Sequence, residues 1–578
     1  MARSPALVAG AVLLVLSSLT AATDASEIGR HIGRDPSGSP ATTRTPPSYA
    51  PGTTTPQKRD RKPDRPRKGS VSVAPLIGQR QQPNIVVIMA DDARDDDLRF
   101  MPNVRRLIGG QGVRFTNMFS PHPLCCPARA SFLTGQYSHN HGVWSHAEPY
   151  GFKALRDSST LPVWLQGSGY DTTFIGKYLN RYGLQTARNG HPSVRYVPPG
   201  WTDWQASIDG GMPVGSPLDG STYRYFDNTL NVNGRLEPHE GAYQTSLFGR
   251  ILRHSFREQA RSPRPFFAWV NFVAPHHGTP VEADDPRSVV REDGSLQSFA
   301  TPARPKRVWG RFDRELRRVP GFEGEPDVHD KPFFIRHLPP LSKAEQAGVL
   351  ADARQRAESL SLLDEQVAKL VRTLRQTGEL DDTYVAFTSD NGYFLGEHRM
   401  RQGKTLPYEP SLRVPLVIRG PGIPRGQVRT DPFTMIDFAP TLLQAAGVGG
   451  PRRRLDGVSM LDVARDGDRG WSRGILTETG PRVVRGEAYE SDNFLVESGG
   501  PSSKRFSQGV RTPNFLYVEH ASHERELYDL RTDPLQLTNV VDRPRRRAVV
   551  RALAHELDVL RNCVGPECAR PLPALLRP

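Results

Sequence analysis

The chain is expected to be an α/β protein, with a large mostly parallel sheet sandwiched by helices and a smaller C-terminal α+β subdomain. Four continuous apolar runs read as strands buried on both faces, helical patterns lie between them, and after about Pro451 the alternation fades into shorter, mixed segments. The first run, Asn84-Ile85-Val86-Val87-Ile88-Met89-Ala90, leads into Asp91-Asp92, and the second, Thr172 to Gly176, into Lys177. The third, Phe266 to Val273, is followed by Pro275-His276-His277, and the fourth, Tyr384 to Ser389, by Asp390-Asn391. Ligands of parallel sheets bind at the carboxyl ends of the strands, so the four polar tails should converge on one rim.

Between these strands the clearest helix opens with Ser342 and Glu345 as a capping box. It continues with Leu360, Leu363, Val367, Leu370, Val371 and Leu374 at helical spacing. One face of it should pack on the sheet, as structure without chemistry. Val414 to Arg419 reads as a further strand leading into the Gly420-Pro421-Gly422 turn, and Asp437-Phe438-Ala439-Pro440 begins another helix. Gly509 to Val518 and Glu526 to Leu530 read as hairpin strands, and a helix is expected from about Arg546 to Leu560. The division expected is a large α/β domain over 83–450 and an α+β subdomain over 451–578.

Residues 1–25 carry Arg3, an apolar run from Ala6 to Leu19 and small residues at Ala22 and Ala25, the layout of a secretory signal peptide and too short for a membrane span. Residues 26–82 are rich in Pro, Thr, Ser, Arg and Lys and cannot bury enough surface to offset chain entropy, so a disordered basic tether is expected. Eleven basic and three acidic residues between Arg30 and Arg80 account for over half of the net charge of +14. The remainder is only mildly basic, which argues against a nucleic-acid partner. A secreted or cell-surface location without an integral membrane span follows. Of four cysteines, Cys563 and Cys568 flank a Gly-Pro turn and are expected to bridge, whereas Cys125 and Cys126 are adjacent and call for another explanation. No second C-x-x-C or nearby His pair completes a zinc site.

Adjacent carboxylates Asp91-Asp92 at one strand end and Asp390-Asn391 at another offer hard oxygen ligands for a divalent cation, although an Asp-Asp pair by itself is more often a helix cap or a solvated turn. Asp95, Asp96 and Asp97 are read as surface residues. The run Pro123-Leu124-Cys125-Cys126-Pro127-Ala128-Arg129-Ala130-Ser131-Phe132-Leu133-Thr134-Gly135 places a thiol, a proline and an arginine at i, i+2 and i+4. Pro127 suits the first turn of a helix, which puts position 125 at the helix's positive end.

This C-x-P-x-R-A-S-x-L-T-G stretch resembles the maturation signature of the type I, formylglycine-dependent sulfatases of the alkaline-phosphatase-like superfamily. The resemblance implies that a formylglycine-generating enzyme converts Cys125 to formylglycine. It also implies that Asp91, Asp92, Asp390 and Asn391 hold one divalent cation together with residue 125, Ca²⁺ being expected ahead of Mg²⁺. Arg129 would hold the hydrated aldehyde or the ester, Lys177 and Lys404 would complete a cationic clamp, and His276 would protonate or position the leaving oxygen, with His277 as its fallback. Where the common family pattern has a histidine two residues after Lys177, this chain has Leu179; His139 or His141 would compensate.

C-C-P-x-R, His139-Asn140-His141 and Gly176-Lys177-Tyr178-Leu179-Asn180 together resemble the branch of N-acetylglucosamine-6-sulfatases and extracellular heparan 6-O-endosulfatases. The similarity spans Gln82 to the 526–539 segment. The implied reaction is attack of one hydroxyl of the hydrated aldehyde on sulfur, departure of the alcohol with help from His276, and expulsion of sulfate by the second hydroxyl. The substrate expected is a sulfated carbohydrate, N-acetylglucosamine-6-sulfate-like, or an aryl sulfate. A phosphonate or phosphate ester hydrolase on the same scaffold, and a non-catalytic polysaccharide-binding protein should Cys125 stay a thiol, are the competing readings.

Overall fold

A computed structural model describes residues 82–577 apart from 147, 214–215, 217–221, 319–320, 322–324 and 481–505. The expected signal peptide and tether therefore lie outside the described residues, Gln82 excepted. The centre is a ten-stranded sheet built from β1 (Asn84–Asp91), β2 (Val113–Phe115), β3 (Asp171–Lys177), β4 (Asp203–Ser207), β5 (Asn228–Val232), β6 (Arg235–His239), β7 (Phe266–Pro275), β8 (Thr383–Ser389), β9 (Leu416–Arg419) and β10 (Gln427–Arg429). Their order across the sheet is β10-β2-β9-β8-β1-β7-β3-β4-β5-β6. The middle five, β8, β1, β7, β3 and β4, run parallel, and antiparallel β9 and β5 flank them.

The apolar runs are continuous because both faces of the sheet are dry. Ile85, Val87 and Met89 of β1 enter one core with Phe132, Phe174 and Trp269. Val86, Ile88 and Ala90 enter the other with Phe248, Leu363, Val367 and Val371. Alternate residues of a strand point to opposite faces, so a strand covered on both sides must be apolar at every position. Each such side chain contributes about 1.5–3 kcal/mol when fully buried. The helices supplying these cores include α1 (Cys125–Thr134), α2 (Gln244–Gln259), α3 (Lys343–Gln376) and α4 (Phe438–Ala445). The capping box of α3 is present: Glu345 N donates to Ser342 Oγ at 3.2 Å and Ser342 N to Glu345 Oε2 at 2.8 Å.

The C-terminal part holds a four-stranded antiparallel sheet of β11 (Ile475–Thr479), β12 (Ser507–Arg511), β13 (Phe515–His520) and β14 (Arg525–Asp529). Helix α5 (Arg547–Leu560) packs Leu553, Leu557 and Leu560 on Val510, Tyr517 and Leu527. The 509–518 run is divided between two strands by Thr512-Pro513-Asn514, where proline cannot donate to the ladder and Thr512 N bonds Phe515 O at 2.8 Å. Cys563 and Cys568 are joined by a disulfide. Met460, Leu461, Val463 and Ala464 still belong to the core of the large sheet. Among the described residues no helix is long and apolar enough to cross a membrane.

One expectation is corrected here. Asp97 is not a surface residue: it is buried and accepts Arg94 N at 2.9 Å, closing the turn after β1, and burial pushes its carboxyl up to about 6.

Candidate active site

β1 ends at Asp91, and Asp92 turns the chain with φ 70°, a left-handed conformation that aspartate tolerates. Cys125 opens α1 and Pro127 lies in its first turn, where its missing N–H removes no helical hydrogen bond. The Cys125 thiol thus stands at the positive end of a helix whose ten residues are all buried. Its Sγ donates to Asp91 Oδ1 at 3.3 Å, lies 4.0 Å from Asp92 Oδ1, and accepts from Lys404 Nζ at 2.8 Å. Burial first, and then the charge of Asp91, push the thiol well above its usual pKa against the pull of Lys177 and Lys404. A protonated thiol is a poor nucleophile.

Arg129, one turn along α1 and fully buried, ties three strand ends together. Its Nε donates to Asp390 Oδ2 at 2.9 Å, its Nη1 to the Lys177 carbonyl at 2.6 Å, and its Nη2 lies 3.6 Å from Asp91 Oδ2. Lys177 Nζ is bonded to Asp91 Oδ2 and Lys404 Nζ to Asp92 Oδ1. Burial opposes the charge of both lysines, but Asp91 at the first and Asp92 at the second outweigh it and raise their pKa values. Asn391 Nδ2 donates to Asp92 Oδ1 at 2.7 Å, and Asp390 Oδ1 accepts from Asp92 N at 3.2 Å and Asn391 N at 2.8 Å.

His276 follows β7, with Nε2 3.8 Å from Asp92 Oδ2 and Nδ1 donating to the His277 carbonyl at 2.8 Å. Burial, and then the neighbouring His277, Lys404 and Lys177, hold its pKa well below the usual histidine value. The same burial brings His277 down to about 4.

The four polar strand tails therefore meet on one rim, and the structure brings together all nine residues expected there: Asp91, Asp92, Cys125, Arg129, Lys177, His276, Asp390, Asn391 and Lys404. His139 and His141 do not join them. Both ring nitrogens of His139 are engaged, with Glu478 Oε1 at 3.0 Å and the Cys563 carbonyl at 2.9 Å, which ties it to the C-terminal part. His141 bonds Ser131 Oγ at 3.1 Å and Val143 N at 3.0 Å. Leu179 is buried in the core beneath the sheet.

Sequence reasoning missed two residues. Tyr223 lies with its ring 4.9 Å from Lys177 Nζ and 4.8 Å from the His276 ring, in a loop with no periodic signal. Arg356, on α3, is a positioning residue: it donates to the backbone carbonyls of Asp92 and Pro275, joining the loop after β1 to the one bearing His276. A signal was present. Val349, Ala353, Arg356, Leu360, Leu363 and Val367 recur at spacings of four and three, so a guanidinium occupies the inward stripe. Arg356→Met keeps the stem and loses both donors. It is expected to lower kcat about 10- to 100-fold and raise the divalent-ion concentration for half-maximal activity. Steady-state kinetics over a metal titration checks this.

Three buried cations interleaved with three carboxylates at the carboxyl ends of a parallel sheet, one of them touching a buried thiol, define a hydrolase for an anionic ester. The chain belongs to the sulfatase family, whose family model, described as Sulfatase, matches residues 83–448, and it is a sulfuric ester hydrolase. It is 31% identical to an arylsulfatase of Volvox carteri over 85% of this chain and 76% of that one. It is 29% identical to N-acetylglucosamine-6-sulfatase of Homo sapiens, over 87% of this chain and 89% of that one. Among solved structures, a protein in complex with its substrate D-glucosamine-2-N,6-O-disulfate aligns with TM-score 0.64 and 21% identity, over 83% of this chain and 97% of that one. The last shows the shared fold.

Proposed function

We propose that the chain removes sulfate from sugar sulfate monoesters of the N-acetylglucosamine-6-sulfate kind, using a formylglycine made from Cys125 and one divalent cation, Ca²⁺ ahead of Mg²⁺. The observation that carries this reading is a pair of orphaned oxygens. Asp92 Oδ2 and Asn391 Oδ1 are buried and have no hydrogen-bond partner, beside a cluster in which one donor atom each from Asp91, Asp92, Cys125 and His276 lie within 4.8 Å of one another. Buried polar atoms without a partner are costly, and hard oxygens suit a hard cation.

The charges agree: Asp91, Asp92 and Asp390 balance Arg129, Lys177 and Lys404, so a divalent ion supplies the surplus positive charge that an anionic ester needs. Asp91, Asp92, Asp390 and Asn391 would hold that ion, which supplies Lewis-acid polarisation of the ester oxygens. The formylglycine supplies a hydrated aldehyde as nucleophile, with a second hydroxyl for releasing sulfate. Arg129 fixes the strand ends around position 125 through its forked donors. Lys177 and Lys404 bind the sulfate oxygens. With Nδ1 committed to the His277 carbonyl, His276 Nε2 is the nitrogen that holds or moves a proton at the leaving oxygen. A formylglycine-generating enzyme acts on the chain during maturation, and the N-terminal signal sequence sends it to the cell surface or the medium.

Two measurements on the purified enzyme test the reading. Peptide mass spectrometry is expected to find the aldehyde at position 125. Dialysis against a chelator is expected to abolish sulfate release from N-acetylglucosamine 6-sulfate, with Ca²⁺ restoring it better than Mg²⁺. Active protein with a thiol at 125, unaffected by chelation, would overturn it.

A further inference from the structure

This inference rests on the hydrolase reading and concerns what the sulfate is attached to. Above the floor made by Asp92, Lys404 and His276 rises a cleft of about 690 Å³, large enough for a sugar or an aryl group. The clamp lysines and Arg129 are committed to the floor. Among the described residues higher on the walls, the side chains carrying a fixed charge are Arg181, Asp209 and Asp285. Asp209 accepts from Arg181 N at 2.6 Å. Asp285 accepts from Thr301 Oγ1 at 2.9 Å and belongs to a wall where Glu282, Asp284, Asp285 and Glu358 share one guanidinium, that of Arg304. Of these four carboxylates Asp285 is the one that lines the cleft, and with Asp209 it outnumbers Arg181, so the upper walls carry a net negative charge. The rim also exposes apolar side chains, Leu184 at 54% and Val281 at 85%.

A sulfated alcohol bearing a second sulfate or a carboxylate would present it to these acidic walls. An uncharged acetamido or aryl group would meet apolar surface and hydrogen-bonding oxygens instead. We infer that the cleft selects esters whose only anionic group is the sulfate being removed, and that Asp209 and Asp285 are the specificity-determining residues that disfavour a second anion. Discrimination then comes from repulsion of the wrong substrate as well as from fit to the right one.

The test compares kcat/KM of the mature enzyme for N-acetylglucosamine 6-sulfate and for D-glucosamine-2-N,6-O-disulfate at low ionic strength. The expected preference for the mono-anion is about tenfold or more, and it shrinks as salt screens the walls. Asp209→Asn and Asp285→Asn, which keep an acceptor oxygen, are each expected to reduce the ratio; should one variant fold poorly, the other and the salt series still decide. Equal or faster hydrolysis of the disulfate, or a ratio indifferent to salt and to both variants, overturns the inference and leaves the sulfatase reading standing. No sulfate release from either sugar or from 4-nitrophenyl sulfate overturns both.

Discussion

Cys125→Ser is expected to lower steady-state kcat/KM on 4-nitrophenyl sulfate by about four orders of magnitude or more, because the proposed turnover needs a second hydroxyl at position 125 that serine does not have. The substitution is sterically mild. The thiol is fully buried between Asp91, Asp92 and Lys404, and a hydroxyl can make the same contacts, so the variant should fold with a near-native Tm. At most one equivalent of alcohol should be released per enzyme molecule, read as a burst with no following steady state. Continued multiple turnover would contradict the proposed chemistry. A plain thiol would not rescue the proposed reaction either, since it too lacks the second hydroxyl.

Arg129→Leu is expected to cost both activity and stability. The guanidinium is the shared partner of Asp390, Asp91 and the Lys177 carbonyl, and removing it leaves the buried Asp390 Oδ2 without its donor and Asp91 with Lys177 as its remaining cation. Breaking a buried ion pair from one side costs about 3–5 kcal/mol, which should appear as a lower urea midpoint together with a loss of turnover. Arg129→Lys separates the two effects. It returns the charge but not the planar fork, so the midpoint should recover in part while activity stays low. Full activity in the lysine variant would show that the fork geometry is not needed.

The legible parts of the site were those whose signal is local. A run of apolar residues covered on both faces announces a central strand, and the polar group at its end announces the rim, so Asp91, Lys177, His276 and Asp390 could be grouped before any contact was known. Cys125, Pro127 and Arg129 lie within one helical turn and a half and carry their meaning in their spacing. His139 and His141 mark where this reasoning stops. A histidine beside the motif is as readily a tie to another part of the fold, and the partner that decides, Glu478 for His139, is remote in the chain. Arg356 shows the opposite failure. It stood on the inward stripe of α3, and what it serves became visible only when the loops after β1 and β7 were laid against that helix.

Read on its own, the chain marks the central strands by their burial pattern, points to the family through the resemblance of its Cys125-to-Gly135 motif, and names candidates for the chemistry, because these are properties of neighbouring residues. Folding settles their pairing: which carboxylate each lysine holds, which histidine reaches Asp92, which oxygens are left without a partner, and how charge is spread over the cleft walls. Those outcomes depend on distances between groups as much as 312 residues apart, as Lys404 and Asp92 are. Hydrogen bonds fall off within a few ångströms and screened charges within about 10 Å, so both depend on spatial separations that no local pattern encodes.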